Sequence, residues 1–300
     1  MTTAQKIALE LSAVIVSVTD GQPRVVVTDD LALPSGPLET QHEKLEQALR
    51  SWVTHQSGLS LGYVEQLYTF ADKNRETDGL RIISIGYLAL AQELGAVTAI
   101  DWYQFFPWED RRAEKAEALG LALRKNLALW KNAAPDAQRR RERQARINIG
   151  FPKDPRAWNE ELVLQRYELL WEAGLIDEAA RGNRKEAKPV AGGLAMKHDH
   201  RRILATAMAR LRAKIKYRPV VFELLPPRFT LLQLQNTVEA LAGLKLHKQN
   251  FRRLVLSQGL VEETNDQTAS IKGRPAKLFA FRREIMQARA AAGTKLPRGG

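Results

Sequence analysis

The 300-residue sequence contains no cysteine. That excludes disulfides and thiolate metal sites, and it fits a reducing compartment. No apolar run approaches the roughly 20 residues needed to cross a bilayer. The first residues, MTTAQKIALELS, carry one lysine and then alternate, unlike a secretory leader. A cytoplasmic protein with no membrane partner is expected. Acidic residues are scarce at one end only. Residues 201–300 hold 20 of the 46 Lys and Arg but 6 of the 34 Asp and Glu, leaving 26 basic and 28 acidic side chains in the first 200 residues. The excess positive charge therefore sits in the last third, where it points to a polyanionic partner.

What is present is ordinary for a globular protein, 44% apolar and 27% charged, and the length allows two domains. SAVIVSVT and RVVVT flank Asp20-Gly21 and predict a β-hairpin over residues 8–28. LPSGP (33–37) reads as a loop. Leu45, Ala48, Leu49, Trp52 and Val53 recur at helical spacing, and Gly58 ends that helix. GYVEQLYTF and LRIISIGYLALA read as strands. From about 109 to 195 the texture changes to a charged, alanine-rich, mainly helical segment with a dense basic run, QRRRERQAR, whose simplest reading is a solvated helix face. ARGNRKEAKPVAGG (180–193) reads as a flexible loop, and 198–216 as a further helix.

The last domain begins near Pro219. Thr230 is placed to N-cap LLQLQNTVEALA, with Gly243 as its stop. A second helix, KQNFRRLVLSQ, follows a short turn, with Phe251, Leu254 and Val255 expected inside. Leu256 falls near the outer arc, where it would pack against a wing. Two short strands, LVEET and AKLFAF, then flank a polar loop. Helix, turn, helix and hairpin make a winged helix-turn-helix. Its second helix offers Lys248, Gln249, Asn250, Arg252 and Arg253 to a major groove, residue types that read base edges and contact phosphates. Lys272, Arg274 and Lys277 would lie on the wing. One such motif reads too few base pairs for specificity, so a homodimer on an inverted repeat of double-stranded DNA is expected.

GPLETQHEKLEQALRSWVTHQSGLSL resembles the Nudix box, whose helix carries glutamates that hold Mg²⁺ or Mn²⁺ against a pyrophosphate. Anchored on Gly58-Leu59, Glu43 matches the upstream glutamate. Ser51 stands at the box arginine, Trp52 at the next glutamate, and His55 and Gln56 at the glutamate pair. The expectation is a Nudix-like frame with no catalytic residues, no metal and no cofactor.

GYVEQLYTFADKNR, LRIISIGYLALA, DWYQFFP, HDHRRILATAMARLRAKIKYRPVVFELLPPRFTLLQLQ, NFRRLVLSQGLVEET and GRPAKLFAF are similar to the Nudix-related transcriptional regulators of bacterial NAD metabolism. The resemblance covers residues 8–107 and 197–283. The 109–195 insertion is absent from the compact members and resembles the longer alphaproteobacterial branch that regulates NAD biosynthesis. It implies an α+β fold, a Nudix-like α/β/α sandwich with a helical insertion over residues 1–216 and a winged helix-turn-helix over 217–300. It further implies a repressor, not an enzyme, released from or tuned on its operator by ADP-ribose, ATP or an NAD-related nucleotide. Gln66, Tyr68, Arg75 and Arg81 are the expected effector contacts, with Trp102 or Phe106 stacking on adenine. The alternatives are an active Nudix pyrophosphohydrolase with a nucleic-acid-binding appendage, and an adaptor whose front domain is only an interaction surface.

Overall fold

The computed structural model describes residues 7–39, 42–59, 61–71, 76–77, 80–181, 189–267 and 275–284. The hairpin expected at the front is strands β1 (Ile7–Thr19) and β2 (Gln22–Val26), paired antiparallel with Thr19 opposite Gln22. Asp20 and Gly21 both take positive φ, 53° and 70°, the geometry that lets a two-residue turn match strand twist. LPSGP is more than a loop, since its Ser35–Pro37 form strand β3 against Glu10–Ser12 of β1. A three-residue strand leaves no period to read, and its pairing is decided by β1.

Helix α1 (Leu45–Ser57) ends at Gly58, left-handed at φ 67°. Strands β4 (Val64–Phe70), β5 (Glu76–Thr77), β6 (Leu80–Leu90) and β7 (Ala99–Asp101) complete a mixed sheet in the order β4-β6-β1-β2-β7, with β3 on β1 and β5 on β6. Among the described strands of this sheet only β1 and β6 run parallel. Alternate residues of β1 serve opposite faces. Leu11, Ala13 and Ile15 pack with Ala48, Leu49 and Val53 of α1, whereas Val14 and Val16 join a second core on the other side.

The insertion folds as α2 (Lys115–Asn132), α3 (Ala137–Gly150), α4 (Val163–Glu172) and α5 (Asp177–Arg181). Its basic run lies on α3, mostly exposed, as a solvated face should be. Helix α6 (His200–Lys214) covers the second face of the sheet and is buried nearly all round. It packs against the sheet, α4 and the first long helix of the last domain. That domain comprises α7 (Leu231–Ala242), α8 (Lys248–Ser257) and the antiparallel strands β8 (Val261–Gln267) and β9 (Lys277–Phe281). Its core, including Phe222, Phe229, Leu234, Val255 and Phe279, is continuous with the second core of the front domain. No described helix is long and apolar enough to cross a membrane.

Candidate nucleic-acid interface

Local chemistry sets the two helices of the winged motif. Thr230 accepts from Gln233 N–H at 3.1 Å while the Gln233 side chain accepts from Thr230 N–H at 2.8 Å, a reciprocal capping box. Gly243 ends α7 at φ 69°. The turn into α8 is held by two side chains that helix periodicity did not single out. Glu239 accepts from Leu246 N–H at 2.9 Å and from Gln235 Nε2 at 2.8 Å, and the Gln235 amide also donates to the Leu246 carbonyl at 3.1 Å. These bonds fix the angle at which α8 leaves the domain.

On α8, Lys248, Gln249, Asn250, Arg252 and Arg253 are all exposed, and none pairs with another described residue. An arc of five polar side chains with open donors is what a groove of DNA bases and phosphates requires. The inward face is narrower than expected. Val255 is buried and Phe251 half-buried, but Leu254 is 56% exposed because it rotates past the α7 contact. Leu256 is 46% exposed. Lys277, on β9, is tied to Glu263 of β8 at 2.5 Å. That exposed pair is worth about 0–1 kcal/mol and yields readily to a phosphate. Lys272 and Arg274 lie outside the described residues.

The winged domain is anchored to the body through a buried ionic node. Glu109, Arg166 and Arg212 are each fully buried. Arg166 donates to Glu109 through Nε at 2.6 Å and Nη2 at 2.8 Å, and Arg212 Nη1 donates to Glu109 Oε2 at 2.7 Å. Burial alone would push the Glu109 carboxyl up, but the two guanidiniums overcome this and hold it below the usual carboxylate range. Arg212 Nε donates to the Leu241 carbonyl at 2.8 Å, Tyr103 Oη to the Ala240 carbonyl at 2.7 Å and Arg111 N to the Gly243 carbonyl at 2.8 Å. The free carbonyls at the C-terminus of α7 are thus capped from other elements. Gly243 is obligatory there, since a Cβ would lie 2.4 Å from the Glu109 carbonyl oxygen. A second buried pair, Arg201–Glu178 at 3.0 Å, fastens the start of α6 to α5.

In the front domain Gln66 and Tyr68 are exposed on β4, the sheet edge, with Tyr68 64% exposed. Arg81 is half-buried on neighbouring β6 and donates to the Ala71 carbonyl at 2.9 Å. Arg75 lies outside the described residues. Trp102 and Phe106 do not stack on adenine as the resemblance implied, because both are fully buried and neither offers a free face. Trp102 meets Tyr103 edge-on at 5.9 Å, and Phe106 packs against Trp108 and Tyr167 at 5.8 and 6.1 Å. An open groove of about 570 Å³ lies beside the hairpin turn, lined by Arg24 but also by Asp20 and Glu93, which would repel a pyrophosphate.

Trp52, at the position of a box glutamate, lies across Gly36 so closely that a Cβ there would sit 1.8 Å from the indole nitrogen. Glu43, His55 and Gln56 are exposed. Among the described residues no group of three or more His, Asp or Glu is arranged to hold a metal ion. With Mg²⁺ or Mn²⁺, the protein is expected to turn over neither ADP-ribose, NAD nor dinucleoside polyphosphates, and Trp52→Glu is expected not to restore turnover. Phosphate release at high protein concentration is the check. Metal-dependent release abolished by Glu43→Gln would contradict it.

These features define a class, a Nudix-type mixed sheet with a helical insertion joined to a winged helix. Residues 221–281 match the NrtR DNA-binding winged helix domain. A stretch of 83 residues is 45% identical to the ADPR responsive transcriptional repressor NtrR of Acinetobacter baylyi, covering 28% of this chain and 33% of that protein. The match spans about a third of that relative's length. Shewanella oneidensis NrtR in complex with a 27mer DNA superposes with a TM-score of 0.53 at 20% identity over 93% of this chain and 95% of that one. The same protein without DNA gives 0.53 at 18% identity over 92% and 94%. The last domain is a winged helix of the NrtR type, and the chain shares the overall fold of NrtR.

Proposed function

We propose that the protein is a DNA-binding transcriptional repressor of NAD-metabolism genes, acting in the cytoplasm, whose Nudix-like domain binds an adenine nucleotide without hydrolysing it. The observation that carries the reading is the unpartnered arc Lys248, Gln249, Asn250, Arg252 and Arg253 on a winged helix of the NrtR type. The relative's description as ADPR responsive makes ADP-ribose the first effector to test, ahead of ATP and NAD. Gln66 and Tyr68 on the exposed edge strand, and Arg81 on the strand beside it, are the proposed contacts, with Arg75 a further candidate. Trp52 in place of a metal-binding carboxylate weighs against the hydrolase reading.

A single α8 reads only a few base pairs, so the protein should bind as a homodimer to an inverted repeat with half-sites about 10 base pairs, or a multiple, apart. Light scattering of the protein with duplexes of such repeats tests this. Two chains per duplex are expected. A monomer both free and on DNA would contradict it.

A further inference from the structure

We propose that the helical insertion carries a second ligand site, for a small phosphate monoester with an apolar body. Helices α2 and α3 pack side by side, and a cavity of about 240 Å³ opens between them. Three cations line it, Arg124 and Lys131 from α2 and Lys153 just beyond α3. Among the described residues no carboxylate lines it. Arg124 and Lys153 pair with no described residue.

Some other arginines of the insertion are compensated. Arg139 pairs with Glu142 at 3.2 Å, Arg156 with Asp154 at 3.2 Å, and Arg146 with Glu172. At the cavity three cations from different turns converge on one opening with no carboxylate in its described lining. The half-buried Arg111 guanidinium is disfavoured first by its own burial and next by Arg124.

Polar donors at the cavity are already positioned. Lys131 Nζ donates to Gln144 Oε1 at 3.0 Å, and Gln144 Nε2 donates to Asn148 Oδ1 at 2.7 Å. This relay holds the lysine and consumes the amide oxygens, so the donors left over, on Lys131 and Asn148, favour an acceptor-only group. Buried Ile147 and Phe151 supply the apolar lining. Cations and N–H donors beside an apolar floor suit a phosphate dianion attached to a compact hydrophobic group. The volume falls below the roughly 300–1,000 Å³ of pockets for larger ligands, so a dinucleotide is too big. The ligand is therefore of a different class from the nucleotide proposed for the front domain.

Calorimetric titration of the full chain with phenyl phosphate, inorganic phosphate and phenol tests the site. Phenyl phosphate is expected to saturate at one per chain and to bind more tightly than either fragment. The double variant Lys131→Ala/Lys153→Ala should weaken it at least about tenfold, since each lysine loses a charge-assisted bond. The variant's melting temperature and operator affinity should be unchanged, because both side chains reach solvent. Absence of saturable binding would overturn the proposal, as would equal binding by the variant. So would competition by random-sequence duplex DNA together with a shallower salt dependence of DNA binding in the variant, which would make the cavity a phosphodiester contact instead.

Discussion

Replacing Glu109 with alanine is expected to lower folding stability by about 3–5 kcal/mol, because it leaves Arg166 and Arg212 as buried charges with no counter-ion. Both arginines are fully buried and both donate to this one carboxylate. Calorimetry should show the melt falling on the order of 10 °C, and the loss should be felt in the winged domain, since Arg212 also holds the Leu241 carbonyl. An unchanged melt would show that the node carries no stability. The sign of the pH dependence follows from the same geometry. The folded-state value of Glu109 is depressed. Its contribution is therefore present above its unfolded value of about 4.3 and lost as pH falls through the folded one. Replacing the whole triad with well-packed apolar residues should be far milder than removing Glu109 alone, because no charge is then stranded.

Arg252→Ala and Arg253→Ala are expected to weaken operator binding by about 1–3 kcal/mol each where the side chain reads a base, with less effect on random duplex. Lys277→Ala should weaken all sequences alike and reduce the salt slope by about one unit if that lysine exchanges Glu263 for a phosphate. Binding isotherms at several salt concentrations separate the two behaviours. Unchanged affinity in all three variants would remove α8 and the wing strand from the DNA contact.

What was legible in the sequence is what short-range chemistry decides. The Asp20-Gly21 turn, the β-branched run of β1, the Thr230 cap and the stops at Gly58 and Gly243 each depend on residues a few positions apart, and each stands where it was read. The outward arc of α8 was legible for the same reason. The node was not. Glu109 bonds to residues 57 and 103 positions away, and in sequence these three look like the solvated charges around them. Trp102 and Phe106 misled because an aromatic residue next to a cleft and one in a core look alike until the chain closes over them. Helix periodicity placed Leu254 inside, but a ten-residue helix crossing α7 buries only a narrow strip, and Leu254 lies beyond it.

On the proposed reading, helix α6 is the candidate link between the nucleotide and the winged domain. Helix α6 touches β1, β4 and β6 at one side and α7 at the other, and it carries Arg201 and Arg212 into the two buried ionic pairs. Lys214 near its C-terminus bonds Glu65 of β4 at 2.5 Å, one position along the strand from the proposed contact Gln66. A shift of β4 on ligand binding would be passed to α6 and from there to the carbonyl end of α7.

A ligand changes DNA affinity only through a difference in its own affinity for the two states, and the effect is reciprocal. The direct measurement is therefore a calorimetric titration of ADP-ribose into the free protein and into the protein–operator complex. The two affinities are expected to differ by about tenfold to a hundredfold, roughly 1.4–2.8 kcal/mol of coupling, with operator affinity shifted by the same factor when ADP-ribose is saturating. Equal affinities in the two titrations would contradict it, however tightly ADP-ribose binds.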